Sequence, residues 1–348
     1  MRVALVGAGR VAEQHLRALQ GVEDVTIGVC DRSPAAAEFA AERFGLAAWY
    51  TDYRTMLEEL RPDLVHVTTP VTSHVSLASQ ALAAGAHVLV EKPIAPSYDE
   101  WLALRAAAER AGRWLTEDHA YQFSRPVQQV LQLIEGGRFG EVVHLDAMLC
   151  LGITAVGSAF ADRHAPHPSE RMPGGAISDF LPHLASLCWL FVGEHTAVQP
   201  SWRRRRSTSP LAYDELRALV EGAHGTAALG FSANGQPDVF GVRVYGTRMT
   251  ATLNLFEGTL QVDRSWKGTH AWTPLLNGLN GGARSVLGAG RSLVEKLRAG
   301  PGGYDGLFEL VRRTYGALRA GSPPPVGCAQ IDGVQRLVRD LTVGVIAP

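Results

Sequence analysis

Two stretches of this chain carry residues suited to proton and charge chemistry. The first is Glu91-Lys92-Pro93, which follows the short apolar β-type run Ala86-His87-Val88-Leu89-Val90. That order delivers Lys92 at the carboxyl end of a strand, the end that faces the ligand crevice in an open parallel sheet. The chain holds three lysines (Lys92, Lys267, Lys296) against thirty arginines, so it prefers Arg wherever any cation serves. A lysine here points to its compact, titratable ammonium, which Arg does not supply. The competing reading is a solvated charge beside a proline.

The second stretch runs from Pro173-Gly174-Gly175 through Asp179 to His183. Ile177, Phe180, Leu181, Leu184 and Leu187 make a helical apolar face, and Asp179 and His183, four apart, share another. Pro182 is tolerated only in a first turn or at a kink. A helix starting at Ser178 or Asp179 puts His183 near its N-terminus, where the dipole disfavours imidazolium. A neutral imidazole is what a general base needs, and a nearby carboxylate steadies its charged form. The competing reading is a capping Asp and a core His.

The elements that must position these groups follow from the flanking sequence. Val3–Val6 is an apolar run of the kind buried on both faces of a parallel sheet. Gly7-Ala8-Gly9-Arg10-Val11-Ala12 comes next, then a helical pattern through Val11, His15, Leu16 and Leu19. Strand, G-x-G-x-x-A and helix in that order form a dinucleotide-binding context. Gly7 permits the tight turn, Gly9 lets the backbone approach a pyrophosphate, and Ala12 lets helix and strand sit close. Free N–H groups at the helix start, where Arg10 and Val11 stand, hold the pyrophosphate. A second strand, Val25–Cys30, ends at Asp31, placed to accept hydrogen bonds from a ribose 2′-OH. Asp31 repels a 2′-phosphate and favours NAD; Arg32 beside it softens the preference and leaves NADP open.

Alternation continues through helices at Pro34–Phe44, Thr55–Leu60 and Tyr98–Ala111, with strands at Ala47–Tyr50, Leu64–Thr68 and Trp114–Thr116. This predicts a doubly wound parallel sheet. Thr69 and Pro70, at another strand's carboxyl end, should line the same crevice near the nicotinamide half. After His119 the pattern changes. A helix at Pro126–Ile134 precedes strands at Val142–Leu151, Ala197–Trp202, Thr226–Phe231, Gly241–Tyr245, Ala251–Leu255 and Thr259–Val262. The fold class is thus α/β followed by α+β: an N-terminal Rossmann domain over 1–122, then a domain over 123–348 on an open, mostly antiparallel sheet. The C-terminal helix is free to pack back on the first domain.

Bulk properties narrow the function classes. A chain of 348 residues exceeds one ordinary core. Apolar content of 46% with 19% charge describes a soluble globular protein. Net charge of -1 gives no general attraction to nucleic acid or anionic membrane, and Arg203–Arg206 is too short a patch to reverse that. Cys30, Cys150, Cys188 and Cys328 form no CxxC pair and read as buried hydrophobes of a reducing compartment. The N-terminal apolar run is too short for a signal-peptide core, so a cytoplasmic location is expected. Asp162, His164, His167 and Glu170 have no recognised ligand spacing, so no metal is expected. Gly278–Gly300 looks like an insertion with one or two helices.

Taken together, these residues resemble the Gfo/Idh/MocA oxidoreductases over nearly the whole length. The resemblance rests on Gly7 to Ala12, Thr69-Pro70 through His74, Glu91-Lys92-Pro93, Glu135-Gly136-Gly137-Arg138-Phe139-Gly140-Glu141-Val142, the glycine-led Asp179/His183 helix, and the tail from Tyr304 to Val326. It implies an NAD(P)-dependent enzyme acting on a secondary alcohol or ketone of a sugar, nucleotide-sugar or cyclitol. Lys92 and His183 would be the catalytic pair, with Asp179 beside them and a cis peptide before Pro93. His74 and Glu91 join the cofactor set, and Tyr121, Gln122, Arg163 and His164 the substrate set. A homo-oligomer, dimer or tetramer, is also implied. Two departures stand out: Pro173 opens the usual glycine triplet, and Gln122 stands where an arginine is common. The alternatives are an NAD-retaining glycoside hydrolase of the same family and a non-catalytic NAD or sugar sensor.

Overall fold

The computed structural model describes residues 1–155, 158, 160, 167–207, 209–264, 272, 275, 277, 278, 290 and 305–345. The chain forms two compact units. One contains Met1–Ala120 with Gly306–Arg336, the other Tyr121–Asp305 with Leu337–Pro348.

The first unit is built on β1 (Arg2–Val6), β2 (Thr26–Cys30), β3 (Ala48–Tyr50), β4 (Leu64–Val67), β5 (His87–Val90) and β6 (Leu115–Glu117), alternating with α1 (Arg10–Leu19), α2 (Pro34–Phe44), α3 (Tyr53–Leu60), α4 (His74–Ala83) and α5 (Tyr98–Ala111). All strands pair in parallel, in the order β3-β2-β1-β4-β5-β6. β1 is almost entirely buried, as two covered faces require. Local chemistry starts the helices: Ser33 Oγ accepts from Ala36 N–H with Pro34 in the first turn, and Asp52 and Ser97 cap α3 and α5 in the same way. The order reverses between β1 and β4, where Val6 stands beside Val67. That switch point opens the ligand crevice at the strands' carboxyl ends.

Two late helices complete this unit: α8 (Asp305–Ala320) and, through Arg336, α9 (Cys328–Thr342). Leu307, Val311 and Tyr315 of α8 join the core of Val3, Leu5, Leu16, Leu19 and Leu89. Asp332 of α9 accepts from Tyr98 Oη, Trp101 Nε1 and Arg105 on α5, all at 3.1–3.2 Å.

The second unit holds α6 (Arg125–Glu135), α7 (Leu181–Val192) and a seven-stranded sheet. Its strands are β7 (Val142–Cys150), β8 (His195–Arg203), β9 (Glu215–Gly222), β10 (Thr226–Ser232), β11 (Val239–Gly246), β12 (Met249–Asn254) and β13 (Thr259–Arg264), ordered β13-β12-β11-β7-β10-β9-β8. Only β7 and β10 run parallel; the other pairs are antiparallel. The sheet's inner face packs on α7, whose Leu184, Leu187 and Cys188 are fully buried.

The sequence reading missed β9. Leu216, Ala218 and Val220 face inward and Arg217, Leu219 and Glu221 outward, an alternation present in the sequence. Leu, Arg, Ala and Glu favour helix, and pairing with β8 and β10 overrides that preference. The Asp179/His183 expectation also needs correcting. Gly175–Asp179 is a 3-10 turn and α7 starts only at Leu181. Asp179 therefore precedes the α-helix, and Pro182 occupies the first turn, where its missing N–H costs nothing.

Candidate active site

In the first unit, Gly7 leaves β1 with φ +95°, and a Cβ there would stand 2.7 Å from Thr69 Cγ2 and 2.9 Å from the Thr68 carbonyl oxygen. Only glycine allows this approach of the β1 and β4 ends. Thr68 Oγ1 ties the turn by donating to the carbonyls of Val6 and Gly7. A Cβ at Gly9 would meet nothing within 4 Å, so open space lies over the start of α1. Arg10 and Val11 are exposed there, Val11 by 44%, so Val11 contributes no buried face to the helix. The Asp31 carboxylate accepts from Ala8 N–H and Ser33 N–H, each at 2.8 Å, which holds it beside the glycine turn; Arg32 next to it is exposed. An open helix start, a glycine cradle and a strand-end carboxylate suit the pyrophosphate and ribose of a dinucleotide.

The Thr69-Pro70 and Glu91-Lys92-Pro93 segments are joined by His74. Its Nδ1 and Nε2 lie 2.8 and 2.7 Å from the carbonyl oxygens of Pro93 and Thr69. With the ring 1% exposed and both nitrogens on main chain, His74 braces the crevice wall. Burial pushes its pKa down, against the two carbonyls and the Glu91 and Glu117 carboxylates. The Lys92–Pro93 peptide is cis. Ile94 N–H just beyond donates to Glu117 Oε1 at 2.9 Å, and Gln335 donates to the same carboxylate.

Lys92 itself is half-buried. Glu91 accepts from the Lys92 backbone N–H and from His15 Nε2. Among the described residues, His15, Glu91 and Asp118 bring ligand-type atoms within 4.8 Å of one another. The 2.9 Å His15–Glu91 contact is a hydrogen bond, and the cluster continues into His66 and Tyr315, so it reads as a hydrogen-bond network. Sequence reasoning gave His66, Asp118 and Tyr315 no role. The available signal for His66 was a polar residue within the apolar run of β4.

In the second unit, Gly174 (φ +83°) lies where a Cβ would collide with Trp202 and Ser178. This tight turn leads through Asp179 into α7. Asp179 and His183 are half-buried. The Tyr121 ring meets the His183 ring edge-on at 4.8 Å and Phe240 at 5.0 Å, so an aromatic wall flanks the imidazole. Gln122 is buried and its carbonyl accepts from Gln128 Nε2. Arg163 and His164, with Asp162, lie outside the described residues, as does most of 278–300. The cysteines are unpaired by disulfides, and burial pushes Cys30 up to about 11 and Cys188 up to about 12, far from thiolate chemistry. Among the described residues no helix is long and apolar enough to cross a membrane.

The strand order, glycine turn and strand-end carboxylate define a dinucleotide-binding Rossmann unit joined to a unit on a mostly antiparallel sheet. Among known proteins, residues 1–119 match the oxidoreductase family with an NAD-binding Rossmann fold. Over those residues the chain is similar to the Gfo/Idh/MocA oxidoreductases. It is 26% identical over 66% of its length to 1-carboxy-3-chloro-3,4-dihydroxycyclohexa-1,5-diene dehydrogenase of Comamonas testosteroni. It is 33% identical over 41% of its length to D-glucoside 3-dehydrogenase of Escherichia coli K12. These matches span 56% and 41% of the two relatives. The solved structure of levoglucosan dehydrogenase with NADH and levoglucosan shares the fold, at a TM-score of 0.76 and 19% identity, over 99% of this chain and 96% of that one.

Proposed function

We propose that this protein is an NAD-dependent oxidoreductase acting on a secondary alcohol or ketone of a sugar, nucleotide-sugar or cyclitol. The observation that carries the reading is the wall of the first unit's crevice. The Gly7 turn, the Thr69 end of β4 and the Lys92 turn after β5 are tied together there, next to open space at the start of α1. The family match over residues 1–119 and the sugar dehydrogenases among the relatives support the substrate class.

Bound NAD supplies the hydride acceptor. Gly7, Gly9 and the first N–H groups of α1 receive its pyrophosphate and Asp31 its ribose hydroxyls. Lys92 and His183 form the catalytic pair. His183 takes the hydroxyl proton as the substrate's C–H bond gives up its electron pair, and the Lys92 ammonium stabilises the alkoxide charge that develops. Asp179 steadies the imidazolium, and Tyr121 fixes the plane of the His183 ring. In the reverse direction the same groups protonate and polarise a keto-sugar.

A panel of sugars, keto-sugars and cyclitols followed by NADH absorbance tests this reading. Lys92→Met should lower kcat on the order of 10²- to 10³-fold with NAD affinity nearly unchanged; full activity would end it. Sugar release without net NADH would move the protein to the glycoside hydrolases instead.

A further inference from the structure

Beneath the Lys92 turn, the first unit buries five titratable side chains in one line of close contacts. His15 and His66 are fully buried, and Tyr315, Asp118 and Glu91 are 1%, 5% and 9% exposed. Satisfying every joint with neutral rings assigns each proton. Glu91 Oε1 lies 2.9 Å from His15 Nε2; a carboxylate only accepts, so His15 carries its proton on Nε2. In that tautomer His15 accepts at Nδ1 from His66 Nδ1–H, 2.9 Å away. With its proton on Nδ1, His66 accepts at Nε2 from the Tyr315 hydroxyl, also at 2.9 Å. All donation therefore runs from α8 towards Glu91.

On its other side Glu91 faces the side chain of Asp118, with carboxyl oxygens of the two within 4.8 Å of each other, and Asp118 Oδ2 stands 3.6 Å from His15 Nε2. Two buried carboxyl groups this close are not both ionised at low cost, so one keeps a proton. Glu91 receives His15 Nε2–H and the Lys92 N–H at 3.1 Å. Asp118 has the Ala120 N–H at 2.8 Å. The better-solvated partner holds the charge.

We propose that Glu91 is the ionised and Asp118 the protonated member of a shared-proton carboxyl pair, and that this pair, oriented by His15, His66 and Tyr315, positions Lys92 and keeps its amine charged. The role rests on the reading of Lys92 as catalytic; Glu91, Asp118 and His15 act through it as positioning residues. Among the described residues, the charged and titratable groups around the pair are Lys92 beside it, His15 from α1, His66 from β4 and His74 from α4, with Glu117 beyond His74 and Tyr315 beyond His66. The shifts agree with this order. Burial raises the Asp118 carboxyl well above its ordinary range and the Glu91 charge raises it further. Burial opposes ionisation of Glu91 as well, but His15, Lys92 and Asp118 outweigh it and hold its carboxyl low. Burial keeps His66 neutral.

Infrared spectra of the full-length protein without added cofactor should contain a protonated-carboxyl band at neutral pH that Asp118→Asn removes. Absence of the band, or its survival in that variant, overturns the proposal. In turnover, Asp118→Asn still offers an N–H to Glu91 and should lower kcat by less than Glu91→Gln does. Glu91→Gln should lower kcat on the order of 10- to 100-fold through misplacement of Lys92, with KM for NAD little changed. It should also move the alkaline limb of the kcat profile down by about 1 to 3 pH units as the ammonium loses its counter-charge. Equal damage from both substitutions, or none from either, also overturns it. If Glu91→Gln does not fold, the Asp118 spectra decide alone. Because those spectra need no catalysis, they separate failure of the carboxyl pair from failure of the Lys92 reading.

Discussion

At the scale of single residues, Gly7 and Gly9 do different work although the motif treats them alike. A methyl at Gly7 meets Thr69 and the Thr68 main chain and sits at a positive φ, whereas one at Gly9 meets only open space. Gly7→Ala should therefore cost about 1 to 3 kcal/mol of stability as well as NAD affinity. Gly9→Ala should melt like the parent and lose affinity alone. Melting curves with and without NAD check this, and equal destabilisation by both would contradict it. These glycines and Lys92 were legible because their roles depend on neighbours in sequence: a strand before and a helix or proline after. Asp118, which holds the proposed shared proton, carried no such local mark.

At the scale of elements, α8 shows how one helix both packs and balances charge. Its inner side buries Leu307, Val311 and Tyr315, while Glu309 outside receives Arg312 and Arg313, each at 2.7 Å. The Arg312 hydrogen bond, with Arg313, holds Glu309 down to about 2 from 4.5 against partial burial. A depressed carboxyl stabilises the fold above its unfolded pKa and ceases to as pH falls through the folded one. Glu309→Gln should thus cost about 1 kcal/mol at pH 7, after discounting for its exposure, and the difference should vanish between 4.5 and about 2. Urea titrations across that range test it; an undiminished difference at the acid end would refute the assignment. The elements the sequence misread have simple causes. β9 is written in helix-favouring residues, and Pro182 delays α7 past Asp179 by occupying its first turn.

At the scale of the molecule, the last forty or so residues matter more than their distance in sequence suggests. Residues 306–336 belong to the first unit, and Leu307, Val311 and Tyr315 sit in the same core as β1. At about 1.5–3 kcal/mol per buried large side chain, their loss removes an amount comparable with the whole stability of a domain, about 5–15 kcal/mol. A chain ending at residue 304 should fail to form a cooperative NAD-binding unit, judged by its circular dichroism melt and by NAD titration. A sharp melt with intact binding would show that the strands suffice. By itself the sequence determined the alternation of strands and helices, the glycine turn, the acidic end of β2 and the lysine after β5, because periodicity and turn chemistry act over a few residues. Only the tertiary structure decided that His66 meets Tyr315 across 249 positions and that Glu91 and Asp118 come within 4.8 Å of each other. Proton order depends on ångström distances between buried atoms, and those are set by packing, which no local pattern records.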